Sequence, residues 1–128
     1  MAGTDTTIAG SKAAAISNMV VRLTSQYTGR GPTKARTYMH DDLVTVVLQD
    51  TLTKAERTLV AHDRRELVLS ARRAFQAAMQ ADLVAGLHEI IGREVVAFLS
   101  ANHADPDYAV ETFILAPAAV PAPAAPGG

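Results

Sequence analysis

The chain is predicted to adopt an α+β fold, a two-layer sandwich in which two hairpins form one four-stranded antiparallel sheet with helices on one face. Three observations lead there. Apolar residues recur at helical spacing in two long stretches, each stretch ends at a Gly-Arg pair, and each is followed by two short runs rich in Val, Thr and aromatic residues around turn-forming residues. The expected order is helix-strand-strand-helix-helix-strand-strand.

The first helix shows in Ile16, Met19, Val20, Leu23 and Tyr27, spaced by three and four, and Gly29 follows as a stop signal. After Pro32, "TKARTYM" and "LVTVVLQ" flank "HDD" and read as a hairpin. Leu43 to Leu48 is apolar on nearly both faces, so its strand is expected to be central and covered. Thr53 followed by Glu56 is a capping-box pattern that opens a short helix, and Asp63 with Glu66 repeats it. From there Val68, Ala71, Phe75, Met79, Leu83, Leu87 and Ile90 keep helical spacing to Gly92, a length of about 42 Å at 1.5 Å per residue. A helix that long either breaks near Gly86 or projects its basic first half. "REVVAFLS" and "YAVETFIL" make the second hairpin across "ANHADPD".

The two halves echo one another. An offset of 63 residues pairs Gly29 with Gly92, Arg30 with Arg93, His40 with His103 and Asp42 with Asp105. That is the pattern of a helix-strand-strand duplication, and it makes the shared corners candidates for architecture before they are candidates for chemistry.

The expected organisation is a flexible N-terminus over residues 1–9, one domain over 10–115 and a disordered Pro/Ala tail over 116–128. Without cysteine, disulfides and thiol chemistry are excluded. No apolar run reaches the roughly 20 residues of a membrane span, and the first residues lack a signal-peptide pattern, so a soluble cytoplasmic protein is expected. The net charge of −1 hides a division: 11 Lys and Arg against 7 Asp and Glu up to Arg73, then one against six. A sheet with one bare face in a 48% hydrophobic chain points to a homodimer through the sheet or the long helix.

Three clusters carry candidate chemistry. In "TGRGPTKAR" the glycines admit close backbone approach, and Arg30, Lys34 and Arg36 supply charge for phosphate, carboxylate or bicarbonate; the same residues also serve as helix cap, strand start and exposed cations. His40 with Asp42, and His103 with Asp105, combine imidazole and carboxylate, as a metal site or general base requires, although turns favour Asp for backbone hydrogen bonds. Arg64, Arg65, Arg72 and Arg73 form two pairs eight residues apart on a similar helix face, where they meet a partner, a nucleic acid or their own salt bridges. The acidic second half and the lack of basic-aromatic alternation argue against nucleic acid. No catalytic frame is recognisable and no cofactor is expected.

The run "YTGRGPTKARTYMHDDLVTVVLQDTLTKAERTLV", with the later "RRAFQAAMQADLVAGLHEIIGREVVAFLSANHADPDYAVETFIL", resembles the MpsC family of small bacterial domains over Ile16 to Leu115. The resemblance implies a companion of a membrane cation/bicarbonate uptake system, though some members stand alone, and it transfers no catalytic residues. The leading expectation is therefore a non-enzymatic accessory or regulatory protein that meets membrane transport subunits and binds a small anion. A metal- or His-dependent hydrolase or lyase is the second reading, and nucleic-acid binding through the basic helix the third.

Overall fold

The computed structural model describes residues 2–118, with side chains from Gly10 onward. The Pro/Ala tail lies outside the described residues from 119 on. The order is α1 (Ala2–Thr28), β1 (Lys34–His40), β2 (Leu43–Gln49), α2 (Lys54–Ala61), α3 (Arg65–Ile91), β3 (Val95–His103) and β4 (Tyr108–Leu115). The strands form one antiparallel sheet in the spatial order β1-β2-β4-β3. This is the expected α+β class.

Period-two alternation puts Val44, Val46 and Leu48 of β2, and Ala109, Phe113 and Leu115 of β4, on the face covered by helices. Ile16, Met19 and Val20 of α1 and Met79, Leu83 and Leu87 of α3 fill the layer above them. Apart from Ala109, each such side chain contributes about 1.5–3 kcal/mol when fully buried. The Phe98 and Phe113 rings add a tilted contact with centroids 5.1 Å apart. β2 is central, as expected, but only one of its faces is covered: Val47 and Val110 lie at the middle of the bare face, with Tyr38, Leu43, Leu99 and Tyr108 more exposed around them.

The register supports the repeat. Val47 pairs with Val110, and these two residues are 63 apart in the chain. An offset of 63 combined with antiparallel β2–β4 pairing is what a twofold axis normal to the sheet, passing through that pair, produces. Backbone bonds extend the β2–β4 ladder past both of its ends: Asp50 N–H donates to Asp107 O at 3.2 Å, and Leu115 N–H donates to Asp42 O at 2.8 Å. Each hairpin thus hands its outgoing chain to the turn of the other.

Two local expectations need correction. The second capping box is absent: the residue before α3 is Arg64, with no side-chain cap bond, and Asp63 instead turns the chain at φ 61°. α3 neither breaks at Gly86 nor projects as a free arm. It runs unbroken for 27 residues, and Val68 and Arg72 in its basic half are buried.

Candidate functional site

Both Gly-Arg corners are built alike. Gly29 and Gly92 take positive φ, 79° and 67°, and return their N–H groups to Ser25 O and His88 O, closing α1 and α3. The arginine that follows reaches the residue just beyond the second strand of its own unit. Arg30 Nη2 donates to Asp50 Oδ2 at 2.8 Å; Arg93 Nη2 donates to Ala116 O at 2.7 Å and to Asp42 Oδ1 at 2.5 Å. In both arginines the Nε atom is buried without a hydrogen-bond partner. The twofold relation puts these corners at opposite ends of the sheet.

Arg30 thus pairs with Asp50 and is not among the residues lining the cavity that Lys34 and Arg36 share. The latter two have no carboxylate partner among the described residues and lie on the bare face of β1, about 7 Å apart along the strand. With Thr33, Tyr38, Val47 and Gln49 they line an open cavity of about 520 Å³, within the size range of small-molecule sites. Register explains the grouping: Lys34 stands opposite Gln49, and Arg36 opposite Val47. Gln49 is oriented by the bond from its Nε2 to Tyr108 Oη, 3.0 Å. A lysine point charge and a planar arginine fork on one face suit an oxyanion, which accepts several N–H bonds at once.

The two histidine turns do not converge. His40 and Asp42 flank the β1–β2 turn, His103 and Asp105 belong to the β3–β4 turn, and these turns lie at opposite ends of the antiparallel β2–β4 pair. Asp42 is held by Arg93, while His103 Nδ1 lies 2.8 Å from Pro106 O. No group of three His, Asp or Glu side chains among the described residues is placed to hold a metal ion.

Nor do the four arginines share a surface. Arg65 is exposed and lines a cleft of about 370 Å³ with Arg57 and Asp105, and Arg73 is exposed beside β3. Arg72 is 6% exposed and inward. Its Nε and Nη2 reach Glu56 at 3.1 and 3.0 Å, and Nη2 also donates to Thr51 O at 2.6 Å. Glu56 simultaneously completes the capping box with Thr53, so one carboxylate starts α2 and ties it to α3.

A buried polar cluster is built from residues outside all three candidate sites. Glu111, 2% exposed, accepts from Gln76 Nε2 at 2.9 Å and from Ser100 Oγ, and Gln76 and Asn102 exchange amide bonds at 3.0 and 2.8 Å. Burial pushes the Glu111 carboxyl up to about 7, opposed by the Ser100 and Gln76 bonds and by the charge of Arg72. The alternation of β4 held the signal: Glu111 falls between Ala109 and Phe113 on the inward face.

These features define the class, a two-layer α+β domain with an internal twofold and a cation-lined cavity on its uncovered sheet. The chain belongs to the MpsC family: the family model described as "Na+-translocating membrane potential-generating system (MpsC)" matches residues 9–117. No curated protein and no solved structure matches it. No helix among the described residues is long and apolar enough to cross a membrane.

Proposed function

We propose that this chain is a non-enzymatic accessory or regulatory partner of a membrane potential-generating cation system, and that it binds a small oxyanion such as bicarbonate or phosphate at Lys34 and Arg36. The observation that carries the proposal is the cavity along β1, where two cations without carboxylate partners share one face with Tyr38 and Gln49. Family membership supplies the setting, a link to a membrane system. In this reading the chain acts in the cytoplasm beside transport subunits and reports anion occupancy to them.

A homodimer completes the proposal. The apolar side chains that the sheet leaves exposed, with Val96 and Leu99 each more than half exposed, support self-association. Co-purification from detergent-solubilised membranes tests the partner: the full-length chain is expected to retain the membrane subunits of such a system. Reproducible failure to do so, with both proteins present and folded, removes the transport role.

A further inference from the structure

The two edges of the sheet differ in a way that concerns association. An edge strand carries unpaired backbone N–H and C=O groups, and charged side chains are one means of keeping another strand off it. β1, Lys34–His40, has that protection in Lys34 and Arg36, both exposed. β3, "VVAFLSANH", has no Asp, Glu, Lys or Arg in nine residues, although it bounds the sheet on the other side. Val96 is 58% exposed and Leu99 55%. The register shift between Val95 and Ala97 disturbs only the start of the strand; Ala97 to His103 pair regularly with β4 and offer an uninterrupted outer edge.

The surroundings of β3 suit a strand beside it. Its outward row on the bare face, Ala97, Leu99 and Ala101, is apolar, and on the helix side a groove of about 190 Å³ opens between α3 and β3, lined by Arg73, Gln76, Ala77, Gln80, Phe98 and Ser100. Charge selects the occupant. Two β1 edges laid together would bring four cations, Lys34 and Arg36 of each copy, onto one seam, whereas two β3 edges bring none of their own.

We propose that a second copy of this chain adds along β3, antiparallel to it, so that two four-stranded sheets become one continuous sheet. The proposal rests on the dimeric reading above and places its interface at an edge instead of on the bare face. A twofold axis normal to the sheet makes every contact reciprocal and keeps each row on its own side: Ala97, Leu99 and Ala101 meet the same row of the partner copy, and Phe98 and Ser100 meet theirs. The same operation already relates the two halves of one chain across Val47 and Val110.

The test is the mass of the full-length chain in solution over a dilution series, combined with hydrogen exchange of the alternate amides of residues 97–103 that point away from β4. Wild type is expected to dimerise and to lose protection of these amides on dilution. Leu99→Lys and Ala101→Glu, both at exposed positions, should each give a folded monomer, and Leu43→Lys, on the bare face of β2, should leave the dimer intact. A dimer that survives Leu99→Lys and Ala101→Glu, or one whose outward-pointing amides in residues 97–103 exchange freely, overturns the edge placement and leaves the dimeric reading standing. A monomer at every concentration overturns both. A monomer whose edge amides become protected only when a neutral extended peptide of alternating Val and Thr is added assigns the edge to a foreign strand, and the choice of a second copy fails.

Discussion

Gln76 on α3 and Glu111 on β4 meet beneath the sheet, the amide Nε2 donating to the carboxylate Oε1 at 2.9 Å, in a place where both side chains are more than nine-tenths buried. A polar pair so placed ties the long helix to a central strand. It also brings an ionisable group into the core.

That group makes stability depend on pH. Burial raises the Glu111 carboxyl from 4.5 to about 7, so between those values the folded chain holds a proton that the unfolded chain has released. The contribution of Glu111 is most favourable below about pH 4.5, weakens as pH rises, and levels off above about 7, a span of roughly 3 kcal/mol at 1.36 kcal/mol per pH unit. Glu111→Gln keeps an acceptor for Gln76 and a partner for Ser100 while removing the charge. Urea denaturation at about pH 5 and about pH 8 should show wild type losing stability at the higher value and the variant losing markedly less; equal losses would contradict this assignment.

Arg72 joins α2, α3 and the β2–α2 connection. Removing it by Arg72→Met leaves the Glu56 carboxylate, 15% exposed at its side chain, without its cation, and the expected cost is about 3–5 kcal/mol. Glu56→Gln retains the capping-box geometry. The double variant should therefore be more stable than the sum of the single losses predicts, and strict additivity in denaturant midpoints would show that the two side chains do not act as a unit.

The close approach of α1 and α3 depends on Gly86. A Cβ there would come within 2.9 Å of Met19 Cγ and Sδ, and Met19 is 3% exposed. Gly86→Val should destabilise the chain by about 1–3 kcal/mol through overpacking, with part of the loss recovered when Met19→Ala is added. Thermal unfolding of the single and double variants measures it, and an unchanged midpoint in Gly86→Val would mean the helices do not pack at this distance.

What the sequence disclosed follows from how local each signal is. The capping box at Thr53 and Glu56, the glycine stops and both hairpins are set by neighbours in the chain, and all are present. The repeat could be read because a shared offset survives low identity, and the Val47–Val110 pair gives it a physical axis. Arg72 was misleading, since counting arginines by pairs hides that it continues the buried row of Val68, Gln76 and Met79. Asp63 failed as a cap because its backbone turns the chain instead of entering the helix. The separation of Arg30 from Lys34 and Arg36 depends on Asp50, which lies far along the chain and reaches the corner only through the β2 exit.

The central claim, an oxyanion held at Lys34 and Arg36, is tested most directly by the thermal midpoint of the full-length chain titrated separately with bicarbonate and with phosphate. With at least one of these anions, wild type should show a saturable rise that disappears in the Lys34→Gln/Arg36→Gln double variant. Arg30→Gln, which breaks the bond to Asp50, should lower the starting midpoint yet keep the rise. No saturable rise with either anion in wild type, or an equal rise in the double variant, would contradict the account.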